Sequence, residues 1–262
     1  MVAHRKSSAV DRASRTKRAD ETLDALFQGK LKLFQSRGGY RFSLDALLLA
    51  DFMSYRGPEQ IADLGTGNGV VALILAYLHP SLSITGLEIQ PRMVDRACRN
   101  VRMNGFEGRV AIRCVDVRNV QQVFGPGSFA AVICNPPYRR SASGRISPNV
   151  ERRIARHEIA AALGDFVRAG AYLLPIRGRM ALVYPALRAL DLLKSLRDVD
   201  LEPKRLRVVH SFADASASLV LVEGVKGGRS GIEVLPPLIV YKKAQEYTAE
   251  VAAMLARSTP VS

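Results

Sequence analysis

Four short segments carry residue types that can do chemistry together. The first is Asp63-Leu64-Gly65-Thr66-Gly67-Asn68-Gly69, with glycines at alternate positions. Glycine lets the main chain turn sharply and approach a ligand closely, and a helix starting near Gly69 presents free N–H groups. A purely structural turn would use the same residues. The spacing is not G-x-G-x-x-G, so the dinucleotide fingerprint is not met. The second is Glu88, 25 residues after Asp63. An acid there can accept both hydroxyls of a ribose, or it can be a solvated strand-end carboxylate. The third is Asp116, which can accept the exocyclic amine of an adenine or simply cap the helical turn that starts near Val117. The fourth and most specific is Asn135-Pro136-Pro137-Tyr138. Two prolines stop sheet pairing and fix φ, so the Asn side chain and neighbouring carbonyls are held rigidly.

Each segment falls where a strand is expected to end. The pattern predicts strands over 60–64, 83–87, 109–115 and 129–134. Between them come helices over 69–78 and 91–103, the second with Pro91 in its first turn. Residues 129–134 are almost continuously apolar, which suits a strand buried on both faces. Further on the pattern predicts a helix over 157–174, a strand over 179–184 and a helix over 186–196. Strands over 206–211 and 217–222, a Gly-Gly turn at 227–228 and a strand over 232–235 then read as antiparallel, before a closing helix over 244–256. Upstream, Phe42-Ser43-Leu44-Asp45 opens an apolar helix over 46–52. Ser43 suits the N-cap, and Asp45 the first turn, where a carboxylate favours the positive helix end. Alternating βα units ending in a hairpin predict an α/β three-layer sandwich: a Rossmann-like, seven-stranded, mostly parallel sheet with an antiparallel C-terminal hairpin.

Composition narrows the class. The 262 residues are 48% hydrophobic and 24% charged, as in ordinary globular chains. Three scattered Cys without a C-x-x-C pair argue against a disulfide framework or structural zinc and suggest a reducing compartment. The longest apolar run is Val70–Leu78, nine residues, far short of the ~20 that span a bilayer. With no signal-peptide pattern at its start, the chain is expected to be cytoplasmic, with no membrane partner and no metal.

Net charge is +14, and two segments carry most of it. Residues 1–18 hold six basic side chains against Asp11 alone; residues 139–156 hold six arginines against Glu151 alone. The first has few large apolar residues and reads as a disordered basic arm over 1–20, leaving one domain over 21–262. Both point to a phosphate-rich polymer or, more blandly, to a solubilising surface.

The glycine turn, Glu88, Asp116 and Asn135-Pro136-Pro137-Tyr138, in order at successive strand ends, resemble the class I S-adenosylmethionine-dependent methyltransferases, in the branch that methylates amino nitrogens. The segment from Gly38-Gly39-Tyr40-Arg41-Phe42-Ser43-Leu44-Asp45 through Ala50 is similar to the bacterial tRNA(Val) adenine-N6 methyltransferase family. So are Glu151-Arg152-Arg153-x-Ala155-Arg156-His157-Glu158 and the stretch from Arg205-x-Arg207 to Glu223-Gly224. The resemblance covers about residues 28–250.

It implies that Asp63, Gly65, Gly67 and Gly69 shape the methionine side of an S-adenosylmethionine pocket. Glu88 would hold the ribose and Asp116 the cofactor adenine, with Asp45 in the segment that closes over the cofactor. Asn135, Pro136, Pro137 and Tyr138 would take the target base. Arg139 and Arg140, directly after them, fit a tRNA substrate, whose loops already expose bases. The implied activity is transfer of methyl to N6 of an adenine in tRNA, in the anticodon loop of tRNA(Val). Methylation of a protein glutamine, of rRNA or of DNA adenine stays open, as does an RNA-binding protein with a relic cofactor fold.

Overall fold

Short, largely apolar strands alternate with helices along the middle of the chain, and that alternation builds the sheet. The structure, a computed structural model, describes residues 17–38, 44–136 and 163–257. The parallel core comprises β3 (Gln60–Leu64), β4 (Ser83–Glu88), β5 (Val110–Cys114), β6 (Ala131–Cys134) and β7 (Arg179–Pro185). Two long strands follow, β8 (Leu201–His210) and β9 (Ala217–Lys226), then two short ones, β10 (Glu233–Val234) and β11 (Leu238–Ile239). The order is β10-β8-β9-β7-β6-β3-β4-β5, with β11 also on β8. β9 runs antiparallel to both β7 and β8. β3 to β9 make the expected seven strands; β10 falls within the strand expected over 232–235, and β11 is additional.

The sheet is buried on both faces. Ile61, Ile84, Ala131, Ile133, Ala181 and Val183 face one core cluster. It is shared with α1 (Leu44–Phe52), α2 (Val70–Leu78) and α6 (Ala249–Ala256). Their immediate neighbours Ala62, Val132, Cys134, Met180, Leu182 and Tyr184 face the other. That second cluster is shared with α4 (Leu163–Leu173) and α5 (Ala189–Arg197). Successive strand residues point to opposite faces, so this alternation makes the three layers.

Three regions differ from the sequence expectations. Residues 232–235 do not add a third antiparallel strand: β10 pairs with β8 in parallel. Both edges of β9 are already taken by β7 and β8, so the chain returning from β9 meets the outer edge of β8 instead. The closing helix starts at Ala249, not 244, with Thr248 as N-cap. Residues before it form a two-stranded ribbon, β12 (Tyr241–Lys243) and β13 (Glu246–Tyr247), with the Tyr241 and Tyr247 rings stacked at 5.1 Å.

The N-terminal part holds an unexpected hairpin, β1 (Glu21–Leu26) and β2 (Leu31–Ser36). It packs against α3 (Pro91–Met103) and α2. Of the basic arm expected over 1–20, residues 17–20 are described. There Arg18 pairs with Asp95 and Asp20 with Arg92, both at 3.0 Å. Residues 1–16 lie outside the described residues. So do Gly39 to Ser43, Pro137, Tyr138, Arg139, Arg140, the Glu151 to Glu158 segment and the expected start of the helix at His157.

Candidate active site

Strand register gathers the acceptors. Leu64, before the glycine turn, lies opposite Leu87 of β4 on one side and Cys134 of β6 on the other. Glu88 lies opposite Cys114 of β5. Asn135 is thus one residue beyond its strand beside the glycine turn, Glu88 closes the adjacent strand, and Asp116 is two residues past the next. All four stand along the carboxyl edge of β6-β3-β4-β5, where ligands bind in open α/β sheets.

The turn is held from below and from the side. Gly65 and Thr66 both donate their N–H to the carbonyl of Leu87, at 2.9 and 3.0 Å. Glu88 Oε2 accepts the Gly67 N–H at 3.0 Å and Oε1 that of Gln90 at 2.9 Å. A carboxylate offers about four acceptor sites, so Glu88 keeps capacity on both oxygens. Asp63 sits beneath the turn, 1% exposed, and accepts the Thr66 hydroxyl at 2.6 Å. Burial pushes Asp63 up to about 7, against the Thr66 hydrogen bond, and burial also raises Glu88.

Two glycines have distinct reasons. Gly67 has φ +60°, and a Cβ there would meet nothing closer than 4.0 Å. Its side of the turn is open, next to Glu88. Gly65, at φ +71°, would bring a Cβ within 3.1 Å of the Phe166 ring on α4. The bare open face at Gly67 beside a strand-end acid is a cradle with the chemistry S-adenosylmethionine needs: backbone on one side, a carboxylate able to accept hydroxyls on the other.

Asn135 is half-buried and Pro136 buried where β6 leaves the sheet. Asp116 caps the helical turn Val117–Gln122 by accepting the Arg118 N–H at 2.9 Å. Its carboxylate is also paired with the Arg118 guanidinium, which holds it below the usual carboxylate range. The capping alternative is therefore realised, and any ligand contact would be shared with Arg118. Asp45 stands in the first turn of α1. Among the described residues, no group of three His, Cys, Asp or Glu could hold a metal, and no helix is long and apolar enough to cross a membrane.

Sequence reasoning missed Phe166, which backs Gly65, and Asn100 and Gln35 around the turn. The Asn100 amide donates to the Asn68 carbonyl at 2.9 Å. None of these lies in a local motif.

A predicted O-methyltransferase of Agrobacterium tumefaciens has the same fold, with a TM-score of 0.67 and 20% identity over 83% of this chain and 98% of that one. Fold and carboxyl-edge acceptors together define a Rossmann-like α/β domain. The chain belongs to the methyltransferase small domain family, whose model matches residues 42–189. It is 30% identical over 168 residues to the tRNA1(Val) (adenine(37)-N6)-methyltransferase of Porphyromonas gingivalis, covering 63% of this chain and 65% of that protein. It is 29% identical over 160 residues to the enzyme of the same name from Vibrio parahaemolyticus, covering 60% and 64%. The chain thus spans a little under two thirds of these curated relatives.

Proposed function

We propose that this protein transfers a methyl group from S-adenosylmethionine to the exocyclic N6 of an adenine in tRNA, in the anticodon loop of tRNA(Val). The observation that carries the reading is the placement of Asn135-Pro136 at the end of β6, in register beside the glycine turn and Glu88. The relatives' names support the choice of base and polymer.

Gly65, Gly67 and Gly69 line the cofactor with backbone, Glu88 accepts its ribose hydroxyls, and Asp116 with Arg118 flanks its adenine. When bound, the cofactor supplies a methyl group already activated on a sulfonium. The work left to the chain is positioning. An adenine amine is a poor nucleophile because its lone pair is delocalised into the ring. The Asn135 side-chain oxygen accepts one N–H and the Pro136 carbonyl the other. Two acceptors off the ring plane draw the nitrogen towards a tetrahedral shape. Oriented reactants gain roughly 7 to 11 kcal/mol over free collision. Tyr138 supplies a face for a flipped-out base, where stacking is worth roughly 1 to 3 kcal/mol. Arg139 and Arg140 hold the adjoining phosphates.

The test is transfer of labelled methyl to total tRNA, stripped DNA and protein side by side, followed by nucleoside mass analysis. N6-methyladenosine in the tRNA arm alone is the expected result. Label in protein or DNA alone would replace the substrate reading, and no transfer in any arm would favour a non-enzymatic RNA-binding role.

A further inference from the structure

Asn100 and Asn104 sit one turn apart on α3 and treat β2 as a strand would. Asn104 accepts the Lys32 N–H at 2.9 Å and donates to the Lys32 carbonyl at 2.6 Å. Asn100 accepts the Phe34 N–H at 2.7 Å and donates to the Phe34 carbonyl at 3.1 Å. Four helical residues rise about 6 Å and two strand residues about 6.6 Å, so the two amides fall in register with alternate residues of β2. Through them the helix covers the edge that β2 turns away from β1.

Asn100 does one thing that Asn104 does not. It is fully buried and also donates at 2.9 Å to the main-chain carbonyl of Asn68, inside the glycine turn. The preceding residue, Gly67, gives its N–H to Glu88. Residues 67–68 are therefore pinned at two points, by the Glu88 carboxylate on one side and the Asn100 amide on the other. Gly69 adds a third restraint by donating to the Thr66 carbonyl at 2.9 Å.

We propose that Asn100 is a positioning residue for the cofactor turn, joining the N-terminal hairpin and residues 67–68 through one buried amide. Only Asn matches the task. Its side chain donates to two carbonyls while accepting one N–H. A carboxylate of the same shape would face two carbonyl oxygens, and a shorter side chain would leave buried groups unpaired. The inference rests on the cofactor reading of the turn.

The comparison is Asn100→Ala against Asn104→Ala. Asn104→Ala removes the same kind of hairpin contact without touching the turn. The readouts are thermal unfolding of the free chain and calorimetric binding of S-adenosylhomocysteine. Asn100→Ala is expected to weaken binding at least tenfold. Asn104→Ala is expected to stay within about twofold of wild-type affinity even where it lowers the melting temperature. Equal weakening in both variants, or none in either, would overturn the inference while leaving the cofactor reading intact. A wild-type chain that does not bind S-adenosylhomocysteine would overturn both. If Asn100→Ala does not fold, Asn100→Ser, which keeps one hydroxyl for its three partners, is measured against the same two outcomes. Failure of both to fold would show that the amide holds the domain rather than the turn, and would also overturn it.

Discussion

Glu88 Oε2 accepts the main-chain N–H of Gly67 at 3.0 Å, so the acid ending β4 also fixes the turn ending β3. One side chain thereby shapes the cradle and, in the proposed reaction, also accepts the ribose hydroxyls. The two tasks are separable by substitution.

Glu88→Ala should weaken S-adenosylmethionine binding severely without unfolding the domain. Hydrogen bonds to a charged group are worth roughly 1.5 to 3 kcal/mol each, so loss of two predicts at least about a hundredfold in Kd. Glu88→Gln keeps an acceptor for Gly67 and should fall between. Calorimetry on folded protein checks this; wild-type affinity in Glu88→Ala would mean that the ribose lies elsewhere.

Asn135→Ala should abolish methyl transfer yet bind cofactor nearly as well as wild type, because in the proposed reaction Asn135 contacts the target amine and not the cofactor. More than about a tenth of the wild-type rate, a barrier change under roughly 1.4 kcal/mol, would refute the polarisation account. Single-turnover rates with saturating tRNA are the measurement.

Stability should carry the mark of Asp63. Burial pushes its pKa up to about 7, whereas an unfolded Asp ionises near 3.9. Between these values the folded chain binds a proton that the unfolded chain does not. The stability from this group is complete below about pH 4 and is lost as the pH rises to about 7. Asp63→Asn should remove that loss. Urea unfolding of both proteins at several pH values gives the comparison, and a wild-type minus variant difference that does not change with pH would rule the effect out.

Glu21 runs the other way. It is fully buried and bonds Arg96 Nε and Arg99 Nη1, each at 2.9 Å. Burial opposes its charge, but the Arg99, Arg18 and Arg96 hydrogen bonds prevail and lower its pKa to about 2. Its contribution is present above about pH 4.5 and lost as the pH falls towards 2. Glu21→Ala would leave two buried guanidinium groups short of their anion, a loss of about 3 to 5 kcal/mol. Chemical unfolding at neutral pH should show a drop of that order; a change under about 1 kcal/mol would show that Asp95 and solvent take over.

Deleting residues 1–16, which keeps the Arg18 to Asp95 pair, should weaken tRNA binding and flatten its salt dependence. Turnover at saturating tRNA should barely change. The deleted part holds Arg5, Lys6, Arg12 and Arg15, and each neutralised phosphate steepens the salt slope by roughly 0.7 to 0.9. Arg139→Ala with Arg140→Ala should lower turnover as well, because these arginines directly follow the proposed base-binding Asn135-Pro136-Pro137-Tyr138 in the sequence. Filter-binding titrations across a salt series decide: identical slopes with and without residues 1–16 would make the arm a solubility tail.

The sequence by itself determined the parallel core and the order of its strand-end acceptors. Short, almost continuously apolar strands, the glycine turn at 65–69, Pro91 at a helix start and two prolines after β6 are local signals, and each acts within a few residues. The adjacency of Glu88 to the glycine turn follows once β3 and β4 pair. The hairpin over β1 and β2 was not legible, because Glu21 is an acid wholly inside the protein. Its burial is tolerable only through Arg96 and Arg99, 75 and 78 residues away. Asn100 reads locally as one more polar position on a helix, and only packing against Phe34 and Asn68 gives its amide three partners. The parallel docking of β10 likewise depended on which sheet edge was free. Buried polar groups and strand edges are satisfied by whatever the fold brings to them, so their roles were decided by tertiary structure, whereas turns and amphipathic elements were written in neighbouring residues.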